Sequence, residues 1–335
     1  MSAVPLVRSS SVLPLYRFLQ RGGPALRHLE ERLRPAFRSA DSLLPVAYAG
    51  ALFEEAARVS GVGDLGFRLG LETRIEEFGE WGALLDRSPT AGVFLQLAIA
   101  GHRRFSTGYR LWTVVRSGEV WLHLRYGRSL QEGREQVYQL SLALWLAAFR
   151  KLLGAAGRPE EIHLEGDPPR YADALAALAT RGVAFHRPGL AIAFPQHLLA
   201  RRAEPMPARA PAADPGPVPA SDFAGSVRQL VASLLQLGVH DVAAAAEAAG
   251  TSERSFQRHL GEVGLTYSEL VGSVRFEAAR RLLADPQRKV IEVANELGYS
   301  DAANFTRAFR RWSGASPQRF RRVAGSSLIE VALEP

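Results

Sequence analysis

Residues 290–309 read VIEVANELGYSDAANFTRAF, and residues 241–260 read DVAAAAEAAGTSERSFQRHL. Each block holds a short helical pattern, a turn opened by a glycine (Gly250, Gly298), a capping polar residue (Ser252; Ser300 or Asp301) and a second amphipathic pattern. A helix-turn-helix unit, present twice as an imperfect repeat, accounts for that order. With Phe256 at zero and a turn of about 100° per residue, Leu260 and Val263 fall within about 40° of it as a buried stripe. Arg254, Gln257 and Arg258 then point outward. In the second block Phe305, Phe309 and Trp312 form the stripe, and Ala303, Thr306, Arg307 and Arg310 face away.

Between the blocks, Thr266-Tyr267-Ser268-Glu269 is a capping box that opens a helix running to about residue 284, where Asp285-Pro286 ends it. Such a helix spans roughly 27 Å, close to the ~34 Å turn of B-form DNA. A last helix is expected to start at Ser316-Pro317, a serine cap followed by proline at the first helical position. Residues 302–322 hold six arginines and no acid. The recurrence of an outward Gln/Thr-Arg pair on both second helices suits base reading, because arginine pairs with guanine and glutamine with adenine.

Upstream, residues 203–220 contain six prolines and, apart from Val218, no aromatic or β-branched residue. That stretch is expected to act as a semi-extended linker. The part before it reads as α+β. Helical periodicity is expected over 45–59, 90–105 and 134–153, and a further helix over 171–180. Runs 111–116 and 120–126 flank Ser117-Gly118 as a β-hairpin, with Val120, Leu122, Leu124 and Tyr126 on one face and Trp121, His123 and Arg125 on the other. Further strands are expected at 161–164 and 190–194. The large apolar residues of 134–153 cover more than one helical face, so self-association through that helix is expected.

The chain has 335 residues, enough for two domains, and its 47% hydrophobic and 22% charged content is that of a folded protein. It has no cysteine, which excludes disulfides, thiolate metal sites and cysteine nucleophiles. Residues 1–20 show no signal-peptide core, and the longest apolar run, 140–149, is about half of what a membrane span needs. The net charge of +7 makes a polyanionic partner plausible, yet from residue 221 onward there are 14 basic and 13 acidic residues. Arginine placement, and not overall charge, therefore carries the nucleic-acid argument.

Enzyme chemistry finds little support. Gly61-Val62-Gly63-Asp64-Leu65-Gly66 matches the dinucleotide-binding spacing but follows a helical pattern where a strand is required, so it reads as a loop between helices. His102, His123, His163 and His186 show no metal-ligand spacing, and paired acids such as Glu54-Glu55 fit solvated helix faces. No cofactor, metal or catalytic residue is expected.

On these residues the C-terminal region resembles the AraC/XylS family of bacterial transcription regulators. The resemblance runs from Gly298-Tyr299-Ser300-Asp301 through Phe305-Thr306-Arg307-Ala308-Phe309 to Gly314, Ser316-Pro317 and Arg321, and in the first unit over Ser252, Arg254, Phe256-Gln257-Arg258 and Gly264. The N-terminal part is similar to the arabinose-binding-like sensor domain of one subfamily, which includes ornithine-utilisation regulators. The resemblance implies DNA contacts by Arg254, Gln257 and Arg258 and by Ala302, Ala303, Thr306 and Arg307. Ala302 and Ala303 stand where the family often has larger polar residues, so thymine-methyl contact is the expected role there.

The expected organisation is an α+β effector-binding or dimerisation domain over 1–202, a linker over 203–220 and an all-α double helix-turn-helix domain over 221–325. Arg310 and Arg322 join the DNA-contact set, with Arg319 and Arg321 suited to phosphate. His102, Arg103, Trp121, His123 and Arg125 are candidates for an effector pocket, with Trp112 and Arg104 beside them. Expected partners are double-stranded DNA, RNA polymerase, a small-molecule effector and a second subunit, in the cytoplasm and without a membrane. The expected function is an effector-responsive, sequence-specific activator of a catabolic operon. The rival is a non-specific DNA-binding or adaptor protein without an effector. Limited proteolysis is expected to cut first between Glu204 and Ala220 and to leave two folded fragments; first cleavage inside either flanking region would misplace the boundary.

Overall fold

The computed structural model describes residues 3–37, 42–169, 172–202 and 217–322. These form an N-terminal and a C-terminal compact unit that part at residues 226–227. Residues 203–216 of the expected linker, and 323–325 of the expected C-terminal domain, lie outside the described residues.

In the N-terminal unit, strands β1 (Leu6–Arg8) and β2 (Leu43–Pro45) pair antiparallel, with helices α1 (Leu13–Arg21) and α2 (Arg27–Leu33) between them. Helices α3 (Val46–Ser60), α4 (Leu65–Glu72), α5 (Gly79–Asp86) and α6 (Ala91–Phe105) lead into the hairpin β3 (Tyr109–Arg116) and β4 (Glu119–Tyr126). Ser117 and Gly118 both take positive φ, 51° and 76°, which is the two-residue turn whose twist matches a hairpin. Helix α7 (Arg134–Leu153) follows, then β5 (Glu161–His163), the short α8 (Ala172–Ala176), β6 (Val183–Ala184) and β7 (Leu190–Pro195). The sheet order is β3-β4-β7-β5-β6, antiparallel except for the β5–β6 pair.

One sheet face carries Leu111, Val120, Leu122, Leu124, Ile162, Ile192 and Phe194, all buried. Phe149 of α7 stacks on Phe194 with ring centroids 4.0 Å apart, and Phe94 of α6 meets both Phe149 and Trp145 edge-on at 5.8 Å. Each such fully buried large side chain contributes about 1.5–3 kcal/mol.

The glycine-rich stretch is a helix junction. Gly61, at φ 70°, caps the C-terminus of α3 in the left-handed conformation. Gly66 lies against the Gln136 carbonyl, and a Cβ on Gly70 would stand 2.6 Å from Ala143 Cβ and from the Leu140 carbonyl. These glycines let α4 run close along α7. The Gln136 amide bridges the junction, accepting from Gly66 N at 2.9 Å and donating to Gly63 O at 2.9 Å.

Two expectations about α7 change. Leu142, Trp145, Leu146 and Phe149 are all buried inside the N-terminal unit, because α3, α4, α6 and the sheet surround the helix. The extra apolar surface that suggested self-association is consumed within the domain. With its extension to Gly157 the helix is also long and apolar enough to cross a bilayer, unlike the short run seen in the sequence, and 56% of its most apolar window is buried in the fold.

The C-terminal unit is helical: α9 (Phe223–Gln236), α10 (Val242–Ala248), α11 (Glu253–Glu262), α12 (Tyr267–Leu283), α13 (Val290–Glu296) and α14 (Ala302–Ser313), with residues 317–322 also helical. Together with the N-terminal sheet, this is the expected fold class.

Gly66→Ala is expected to destabilise the protein by about 1–3 kcal/mol through overpacking against α7. Gly63→Ala, which meets nothing within 4 Å, serves as the control. Chemical denaturation of both variants checks the contrast, and equal midpoints would refute the close-packing role.

Candidate nucleic-acid interface and effector-pocket residues

Each helix-turn-helix unit is closed by a glycine with positive φ, Gly250 at 70° and Gly298 at 79°. Ser252 caps α11, accepting from Ser255 N at 3.3 Å. Of the two residues open for α14, Asp301 is the cap: it accepts from Asn304 N at 2.7 Å. That backbone bond is the main reason its carboxyl lies below the ordinary value of 3.8.

Phe256 and Leu260 of α11, and Phe305 and Phe309 of α14, are buried. In the second unit they join Ala279, Leu283, Val293, Ala294 and Leu297 in one apolar cluster, with Trp312 and Phe320 packed against it. Val263 departs from the expected stripe and is 45% exposed. Helix α11 stops at Glu262, and Val263 at ψ 13° has left the helical period.

With those stripes buried, Arg254, Gln257 and Arg258 are exposed on α11, and Ala303, Arg307 and Arg310 on α14. Ala302 and Thr306 are half-buried, and Arg322 is exposed. Gln257 Nε2 donates to Glu253 Oε1 at 3.1 Å. Arg258 lies 3.8 Å from Glu262, a loose pairing at the surface, and Arg307 donates to Asn304 Oδ1. These ties orient the side chains along their helices without burying them.

Arg321 is a correction. Its Nε donates to Leu283 O at 3.3 Å and its Nη2 to Arg288 O at 2.8 Å, so it satisfies a carbonyl at the end of α12 and one in the loop before α13 and is not free for phosphate. The frame joining the units was not legible beforehand. Capped by Thr266 and Glu269 as expected, α12 also receives a bond from Arg228 of α9 to Ser273 Oγ at 2.9 Å. Arg275 of α12 sits 5.2 Å from the Tyr299 ring centroid. Tyr267 O–H donates to the Asp241 carbonyl at 3.1 Å. One helix thus holds the start of the first unit and the turn of the second.

In the N-terminal unit, His102, Arg103 and Arg125 line one cleft together with Trp112. His102 is buried, its Nδ1–H donates to Ile99 O at 2.7 Å, and burial lowers its pKa. Trp121 and His123 stand elsewhere. Trp121 is 6% exposed, lies against Ala191 and Ala193, and contacts the His163 ring at 4.6 Å. His123 stacks on Trp112 at 5.1 Å, and burial lowers its pKa too.

The cap at Asp301 has a pH signature. Its folded pKa is depressed, so its contribution is complete above about pH 5 and lost as pH falls through the folded value, below about 4. Asp301→Asn retains a capping oxygen and is expected to flatten that part of the stability profile. Denaturation between about pH 3 and 7 checks it, and parallel profiles for the two proteins would rule out the cap as the source.

Residues 32–203 match the family described as the arabinose-binding domain of AraC transcription regulators, N-terminal, and residues 245–323 match a helix-turn-helix domain. The ornithine utilization regulator of Pseudomonas aeruginosa is 27% identical over 286 residues, 79% of this chain and 80% of that one. The HTH-type transcriptional regulator VqsM of the same organism is 41% identical over 70 residues, 21% of this chain and 22% of that one. The crystal structure of the transcriptional regulator CdpR from Pseudomonas aeruginosa aligns with 23% identity and a TM-score of 0.40, covering 88% of this chain and 97% of that one. The chain belongs to the AraC transcription regulators that carry this N-terminal domain, a family of DNA-binding regulators and not of enzymes.

Proposed function

We propose that this regulator reads a specific operator by placing α11 and α14 in successive major-groove faces of duplex DNA. One observation carries the reading: both helices bury an apolar stripe on one side and present arginine with glutamine or threonine on the other. A helix-turn-helix unit enters the groove with its second helix, whose exposed side chains meet base edges. Arg254, Gln257 and Arg258 are the proposed contacts of the first unit. Ala302, Ala303, Thr306, Arg307 and Arg310 are those of the second. The two alanines suit thymine methyl groups, and Arg322 suits phosphate.

The proposal extends to the rest of the chain as a cytoplasmic, effector-responsive activator acting as a homodimer with RNA polymerase. Residues 1–202 would sense the effector, 203–220 link and 221–325 bind DNA. His102, Arg103 and Arg125 are the proposed effector-side residues, with Trp121 and His123 shaping the neighbouring sheet face. A relative is named for ornithine utilization, which supports a catabolic operon as the target class.

Arg258→Ala or Arg307→Ala is expected to cost ~1–3 kcal/mol on the cognate site and to relax preference at one base position. Arg322→Ala is expected to weaken cognate and random duplex about equally and to lower the salt slope by about one. Titrations on both duplexes at several salt concentrations decide it. Equal losses on the two duplexes for all three variants would replace base reading with a non-specific coat.

A further inference from the structure

Tyr109 and Tyr126 are the last pair of the β3–β4 ladder, at the end opposite the Ser117-Gly118 turn, with ring centroids 5.4 Å apart. The two rings belong to the walls of two different cavities.

The first is a chamber of about 70 Å³ in the core of the N-terminal unit, walled by Phe53, Phe78, Trp81, Phe105, Leu140 and Trp145. Its polar groups are few. Tyr126 Oη lies 3.1 Å from Ser141 Oγ, and Ser141 in turn donates to Val137 O at 2.8 Å. Burial pushes the Tyr126 phenol up to about 12 and raises that of Tyr109 further. The Tyr109 hydroxyl has no hydrogen-bond partner among the described residues, so it remains available as a donor.

The second cavity is an open cleft of about 1110 Å³. Arg103, Arg110, Arg125, Arg128 and Arg134 line it beside His102, against a single carboxylate, Glu165. Arg134 is committed to that carboxylate at 3.0 Å. The other four guanidiniums have no ion pair or hydrogen bond among the described residues. Four unpaired like charges around one cleft are a standing demand for an anion, and guanidinium matches a carboxylate with two parallel bonds.

We propose that the two cavities form one site for an amphiphilic monocarboxylate, its apolar tail in the aromatic chamber, its carboxylate toward the arginines and Tyr109 donating at their shared wall. At about 70 Å³ the chamber takes a short branched tail or the edge of a ring, which its aromatic walls meet through edge and offset contacts. The proposal rests on the reading of the N-terminal domain as an effector sensor and specifies the chemistry that the sensor takes.

The test is calorimetric titration of the full chain with 3-phenylpropionate, 4-methylpentanoate and octanoate. Phenylpropanamide removes the charge, propionate removes the tail and hexylamine reverses the charge. At least one of the three tailed carboxylates is expected to bind saturably, and its neutral, tail-less and cationic counterparts are not. Arg110→Ala, Arg125→Ala and Tyr109→Phe are each expected to weaken that binding about tenfold or more. Arg110 and Arg125 are exposed, so those two variants report on the site without disturbing the core. No saturable binding by any tailed carboxylate, or equal binding by the amide, overturns the proposal. If the amine alone binds, the carboxylate class falls while the sensor reading stands. Carboxylate binding with the stated variant losses, but with no change in operator affinity, upholds the site and removes its regulatory role. If the arginine variants instead lose only affinity for random duplex DNA, the cleft is a phosphate surface and the proposal falls.

Discussion

A helix of ten or twelve residues is not stable alone in water, because nucleating it costs more than its few internal bonds return. The two helices that present the candidate DNA contacts have those lengths. They persist because Phe256 and Leu260, and Phe305 and Phe309, are withdrawn from water against the rest of the C-terminal unit. The same burial fixes the rotation of each helix about its axis and therefore which side chains face out. Exposure of Arg258 and Arg307 is a consequence of where the phenylalanines go. The capping bonds at Ser252 and Asp301 then set where each helix begins.

Helix α12 converts two such units into one frame. Its N-terminus is closed by Thr266 and Glu269, and Tyr267 reaches the start of the first unit through the Asp241 carbonyl. Arg275 covers Tyr299 at the turn of the second. Arg321, which by composition looked like another phosphate ligand, ties the last helix to the end of α12. An arginine-rich segment therefore holds two kinds of arginine, and only bonding partners tell them apart.

The N-terminal unit solves a different problem, which is covering a twisted sheet with helices that must also pack on one another. Glycines at 66 and 70 bring α4 close to α7, and glutamine amides occupy the polar groups at the junction. The result buries most of one sheet face, from Leu111 and Val120 to Phe194, and leaves an imperfectly filled pocket beneath Tyr109 and Tyr126. The arginines at the open end of the hairpin make that region chemically unlike the rest of the domain.

Local grammar was legible wherever a few adjacent residues decide the outcome. The hairpin turn at Ser117-Gly118, the capping box at Thr266, the bounds of α7 and the repeated helix-turn-helix order all follow from neighbours in the chain. The outward faces of α11 and α14 were legible for the same reason, since the 3.6-residue period separates an apolar stripe from an arginine face. The three-residue strands β1 and β2 were not, because they are too short to show a period and each exists only by pairing across 35 residues or more of chain. Whether the apolar surplus of α7 meets a partner or its own domain depends on what surrounds it, and α3, α4 and α6 surround it. His102, Arg103 and Arg125 share a cleft while Trp121 and His123 pack elsewhere because the long-range pairing of β4 with β7 sets Trp121 beside Ala193 and His123 beside Ala191 and stops at Leu124. The sequence by itself determined the elements that a few adjacent residues encode, and the family; only the tertiary structure decided which polar groups were already satisfied and which were left for a ligand, since that depends on partners distant in the chain.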